Sequence, residues 1–210
     1  MRRVAALLLV LALASSACTE DDPTDEPKDG PRASAADEAS ERLTVGAISF
    51  ALPDGWRALS EEDLDEGVEN AADSEAIAEL TESLGIDADQ FAEFLDQVDL
   101  YVYDAHGPEN DFTANLNVTT PDKFPDDDQL EQLASAIGAE FGGITHEKTE
   151  LGDAAVLSYE LTAPTATAPI QGRSLWLDVD GTPTNITIST TVGKTADELA
   201  ELVLTTLDED

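Results

Sequence analysis

Between Cys18 and Leu43 the chain offers no aromatic or large aliphatic side chain, so a folded core has to be built from residue 43 onward. The intervening stretch carries Pro23, Pro27, Gly30 and Pro31 together with nine acidic residues. Such a composition buries too little apolar surface to offset the entropy of ordering it. Residues 18–42 therefore read as a flexible tether. A coil of about 25 residues reaches roughly 25–30 Å, and self-repulsion lengthens it. Residues 43–210 remain, enough for one sizeable domain.

Upstream, Arg2 and Arg3 precede an uninterrupted apolar run of 11 residues, Val4 to Ala14. That is the pattern of a secretory leader. It is too short to span a bilayer, whose core of about 30 Å needs roughly 20 apolar residues. The run ends in Leu13-Ala14-Ser15-Ser16-Ala17-Cys18, with small residues leading directly into the single cysteine of the chain. This resembles the lipobox of bacterial lipoproteins, departing from it at Ser15, where an aliphatic residue is usual. The resemblance implies that residues 1–17 are a signal peptide that is removed. Cys18 would then be the lipid attachment site, carrying a diacylglyceryl group that holds the protein to the outer face of the cell membrane. The alternative is a plain leader with a chance cysteine. With one thiol no internal disulfide is possible, and the domain must hold together through its core.

The charge balance restricts the partners. The chain has 46 Asp plus Glu against 10 Lys plus Arg, a net −36. Removing Arg2 and Arg3 with the leader makes it −38. A surface of this sign repels phosphate backbones and anionic headgroups, which excludes nucleic acid and leaves the lipid as the membrane contact. Solubility in a salty or divalent-rich exterior accounts for the acidity; a cationic partner or loosely bound metal ions are the sharper readings.

From Leu43 the pattern turns periodic. Gly46, Ile48, Phe50 and Leu52 alternate with Val45, Ala47, Ser49 and Ala51, which predicts one strand with a single apolar face. Pro53-Asp54-Gly55 turns the chain and sets Trp56 back onto that face. Ser60 before Glu61, Glu62 and Asp63 is a candidate helix cap. Residues 74–97 read as two helical pieces, through Ile77, Leu80 and Leu84 and, after Gly85, through Phe91, Phe94, Leu95 and Val98. Asp99 to Ala105 predicts a strand with Leu100 and Val102 on one side and Tyr101 and Tyr103 on the other. Thr113 to Thr120 predicts a strand with Ala114, Leu116 and Val118 inward and a wet outer face. Asp126 to Phe141 is helical through Leu130, Leu133, Ile137 and Phe141, stopped by Gly142-Gly143. Strands follow at Ala154 to Leu161, Gln171 to Val179 and Asn185 to Val192, with Asp180-Gly181 as a hairpin turn. A last amphipathic helix opens on Thr195, with Glu198 at capping-box spacing. Neighbouring strands with short turns and helices between and after them predict an α+β fold, an antiparallel sheet covered by helices.

Phe50-Ala51-Leu52-Pro53-Asp54-Gly55-Trp56 resembles the first strand and turn of the Mog1/PsbP-like fold. The strand Ala114 to Val118 and the final strand and helix over Asn185 to Leu207 are similar to the same group. Within it, actinobacterial lipoproteins of the LpqN and LpqT type share the lipobox, the tether and one such domain. The resemblance implies an αβα sandwich used mainly as a binding or accessory module, and it carries over no catalytic residue.

Motifs of catalysis fail on inspection: there is no G-x-S-x-G, P-loop, G-x-G-x-x-G or C-x-x-C. His146-Glu147-Lys148-Thr149-Glu150 lacks the second histidine of a zinc protease motif. Neither Asp178 to Gly181 nor Asp25 to Gly30 has calcium-loop spacing. Asp126-Asp127-Asp128 reads as helix-start charge. His106 and His146 read as exposed, and Trp56 and Trp176 as core. No catalytic residue, cofactor site or metal site is therefore assigned. The expected function is a non-enzymatic, lipid-anchored module presenting an acidic domain to an envelope protein or a small envelope ligand. The alternative is an envelope hydrolase whose carboxylates or histidines assemble only in three dimensions.

Overall fold

A computed structural model of the chain describes residues 42–59, 81, 88–163 and 166–209. The leader, Cys18, most of the tether, the Ser60 cap and the helical piece around Ile77, Leu80 and Leu84 lie outside the described residues. In chain order the described elements are β1 Arg42–Val45, β2 Ile48–Ala51, β3 Trp56–Ala58, α1 Ala88–Leu95, β4 Leu100–Asp104, β5 Asn115–Thr119, α2 Asp127–Ala136, β6 Glu140–Thr149, β7 Gly152–Leu161, β8 Ile170–Val179, β9 Thr182–Thr190, α3 Gly193–Thr206 and β10 Asp208–Glu209. Seven strands form one sheet in the order β3-β4-β5-β9-β8-β7-β6, and β1, β2 and β10 form a second. Every pairing is antiparallel. With helices on both faces, the architecture is the expected α+β sandwich.

The opening segment is a hairpin rather than the single strand its alternation predicts. Gly46 adopts φ +59°, a conformation open to glycine at little cost. The chain reverses there and Val45 pairs with Ile48. The reversal brings Leu43 and Val45 to the same side as Phe50 and Ile48, and all four join one core cluster. Next, the Trp56 amide donates to the Pro53 carbonyl at 3.3 Å, closing the predicted turn. Gly55 at φ +82° supplies the left-handed residue it needs.

The large sheet separates two apolar layers. On its first face Val102, Leu116, Val118, Leu175, Ile186 and Ile188 pack with Phe50 and Leu52 and with Leu199, Ala200 and Val203 of α3. Each such Val, Leu, Ile or Phe side chain, once buried, contributes about 1.5–3 kcal/mol. The second face carries two separate clusters. Phe91 and Leu95 of α1 pack on Tyr101, and Leu130 and Ala134 of α2 pack on Leu157, Tyr159 and Trp176. Between them the outward residues of β5, β8 and β9 are polar yet buried: Asn115, Ser174, Asn185, Thr187 and Ser189. The wet face expected for Thr113 to Thr120 is thus largely covered, with Asn117 and Thr119 half-buried and Asn115 buried.

Two helix boundaries depart from expectation. At α2, Asp126 caps the helix and Gln129 bonds back to it, a complete capping box, with Asp127 and Asp128 in the first turn. The helix then stops at Gly138 (φ +72°) instead of Gly142-Gly143. The Gly138 amide donates to Ser135 and the Ala139 amide to Ala134, which satisfies the last carbonyls. Phe141 falls on β6 and is 37% exposed. At α3, Thr195 is not the cap: the helix begins at Gly193 after Val192. Glu198 is held instead by Lys194 at 2.8 Å, one turn away.

Candidate binding groove

Strand β6 ends the large sheet, and α3 lies across β2, β8 and β9. The first face of β6 and β7 beyond α3 forms a groove of about 730 Å³. Register explains its walls. Thr145 opposes Val156 and Glu147 opposes Ala154, so the side chains of Thr145, Glu147 and Thr149 share the first face. The buried stripe of α3, Ala196, Leu199, Ala200 and Val203, leaves Asp197, Glu201 and Thr205 on the facing rim. Val156, Ala200 and Leu204 make the floor apolar.

One cation lies at that floor. Arg173 sits on β8, opposite Ile188 and Ser158, on the same face as Leu175 and Leu177. Its side chain is 12% exposed, and its Nε and Nη2 donate to Asp197 Oδ1 at 2.8 and 2.7 Å. Nη1 donates to the Gly172 carbonyl at 2.7 Å. These charge-assisted bonds fix the guanidinium and neutralise Asp197. Glu147, Glu150 and Glu201 form no ion pair among the described residues, so the groove keeps an acidic rim. Lys148 at its end is committed to Asp153 at 2.7 Å. That contact raises the lysine's proton affinity and lowers the carboxyl's pKa, both groups being fully in solvent. Sequence patterning missed the groove because its residues come from β6, β7, β8 and α3. The available signal was Arg173, a basic residue inside a strand of a chain with few of them.

The residues weighed for chemistry do not converge. Cys18 lies outside the described residues. His106 is 66% exposed in the turn after β4, with Nδ1 2.7 Å from Asp104 Oδ1. His146 is exposed on β6, 3.3 Å from Asp127. As neighbours on a strand, His146 and Glu147 project from opposite faces and cannot share a metal ion. Among the described residues no group of three or more His, Cys, Asp or Glu is placed to hold one. Asp178 accepts from the Gly181 amide at 2.6 Å in the β8–β9 hairpin, with Asp180 and Gly181 both at positive φ as such turns demand. A shallower hollow of about 580 Å³ at the start of α2 is bounded by Phe124 to Asp128, whose first acid caps the helix. Trp56 and Trp176 are 7% and 1% exposed in clusters on opposite faces of the sheet. They line no common groove. The strongest proton-affinity shifts are those of buried phenols on the second face: burial pushes Tyr101 well up and Tyr159 to about 12. No helix among the described residues is long and apolar enough to cross a membrane.

No protein-family model matches the chain, and no curated protein matches it in sequence. Among solved structures it is similar to cyanobacterial PsbP (CyanoP) from Synechocystis sp. PCC 6803. The identity is 14% and the TM-score 0.46, covering 86% of this chain and 98% of that one. It is also similar to PA94 from Pseudomonas aeruginosa, a protein of unknown function. There the identity is 12% and the TM-score 0.32, over 43% of this chain and 67% of that one. Likenesses at this level carry no argument; the sandwich stands on its own strand order and registers.

Proposed function

We propose that this chain is a lipid-anchored binding module of the bacterial cell envelope, of the LpqN and LpqT lipoprotein type, whose groove receives a basic segment of another envelope protein. The carrying observation is the groove itself: an apolar floor between two rims on which Glu147, Glu150 and Glu201 are exposed and, among the described residues, form no ion pair. Acids on opposed rims suit a cationic partner and speed its encounter. The partner is tested with the full chain and a lysine-rich peptide followed by fluorescence anisotropy. Reversing both rims, Glu147→Lys with Glu201→Lys, weakens binding about tenfold at low salt, with the difference shrinking as salt rises. Equal affinity for wild type and the double variant at low salt would overturn the proposal.

Anchoring rests on Cys18, since two acyl chains suffice for stable membrane attachment. Cys18→Ala is expected to move the protein from the membrane fraction to the soluble fraction and to block maturation after Ala17. Continued membrane attachment with cleavage at the same place refutes lipidation.

A further inference from the structure

Resting on the groove as the partner site, we infer that the partner binds as an added β-strand along the outer edge of β6. The seven-stranded sheet has two ends. One is β3, three residues long; the other is β6, ten residues long and exposed or half-exposed throughout. Among the described residues β6 pairs only with β7. Half of its backbone amides and carbonyls therefore turn outward, the template on which extended peptides dock. The register shift between Phe141 and Gly143 ends the regular edge, leaving Ile144 to Thr149 as a straight run of ladder positions.

Side-chain alternation fixes the chemistry of the incoming strand. Residues beside Thr145, Glu147 and Thr149 project on the first face, along the β6 rim of the groove. Basic residues at alternate positions stand beside Glu147, the acid of the near rim. Residues between them lie on the second face beside Ile144, His146 and Lys148, whose ammonium Asp153 already pairs at 2.7 Å, so that face offers added basic residues no free acid on β6. The fitting partner is thus an extended segment with lysine or arginine at every second position. A second copy of this chain is a poor occupant: each copy carries net −36, and β6 offers one lysine against Glu140 and Glu147.

Three ten-residue peptides test this against the full chain. The first alternates lysine with valine. The second is identical but N-methylated at every residue, removing the amides on both edges while keeping every charge. The third places its lysines and valines in two blocks. Strand addition predicts that the alternating peptide binds, that its N-methylated form binds at least about tenfold more weakly, since each lost hydrogen bond is worth about 2- to 12-fold, and that the block peptide is also weaker. Amides of residues 144–149 gain hydrogen-exchange protection with the first peptide alone. If all three bind within twofold of one another and the β6 amides stay unprotected, strand addition is wrong while an acidic docking groove survives. If none binds, the groove reading fails as well. Dimerisation through β6 without peptide, seen by sedimentation, also overturns the inference.

Discussion

Replacing Asn185 with alanine is expected to lower the free energy of unfolding by about 3 kcal/mol, read as a lower denaturant midpoint at unchanged slope. Asn185 is fully buried on β9, directly opposite Trp176. Its amide donates to Ser174 Oγ at 2.7 Å and to the Leu175 carbonyl at 3.1 Å, and its oxygen accepts from Thr187 Oγ1 at 3.0 Å. The amide's two donors and its acceptor oxygen are all engaged. Alanine would strand groups on β8 and β9 that water cannot reach, each at about 1–3 kcal/mol, and leave a void besides. The network lies between the two apolar clusters of the second face, so it ties the middle of the sheet where hydrophobic packing is interrupted. A loss below about 1 kcal/mol would mean that the site relaxes and admits water.

That network also marks the limit of what patterning discloses. Alternation in residues 113–120 identified which side chains face the main core, and Leu116 and Val118 are there at 1% exposure. It could not tell a polar face in water from a polar face under cover, because both read as alternating. Local turn chemistry was more legible. Pro53 to Trp56 and Asp180-Gly181 form the turns their residues demand, and Asp126 caps α2 as its charge suggests. Errors arose where one residue type serves two ends. Gly46 could sit inside a strand or reverse it, and only pairing with Ile48 decides. Gly138 lies within a helical spacing that runs on to Phe141. A glycine inside a helix costs only about 1 kcal/mol, so the periodicity outweighed the stop that the Gly138 and Ala139 bonds create. Thr195 and Glu198 have the spacing of a capping box, but Lys194 competes for the glutamate. The groove was the least legible feature, since Glu147, Arg173 and Glu201 are far apart in sequence and meet only when β6 ends the sheet and α3 crosses it.

Raising the pH is expected to unfold the domain through its tyrosines. Tyr101 is 1% and Tyr159 2% exposed, and burial holds the phenol of each in its neutral form. Among the described residues the Tyr101 hydroxyl has no hydrogen-bond partner to stabilise an anion, and its ring is enclosed edge-on by Phe91 and Phe94 at 5.4 and 5.9 Å between centroids. At Tyr159, Ser189 and Arg173 oppose the burial without reversing it, leaving the phenol at about 12. The sign follows from proton counting. Below pH about 10 both folded and unfolded chains keep these protons and stability is insensitive to the two groups. Above it the unfolded chain releases protons that the folded chain retains, so stability falls as pH rises. Each phenol contributes a slope of about 1.4 kcal/mol per pH unit. Acting together to pH about 12 they remove roughly 5 kcal/mol, comparable with the whole stability of a small domain. Denaturant midpoints measured from pH 8 to 12 should therefore be level at first and then drop steeply. Tyr159→Phe should halve the slope over that range, and Tyr101→Phe with Tyr159→Phe should nearly abolish it. A wild-type profile that stays flat to pH 12 would mean that these hydroxyls ionise inside the folded protein, and that the second face is wetter than its packing indicates.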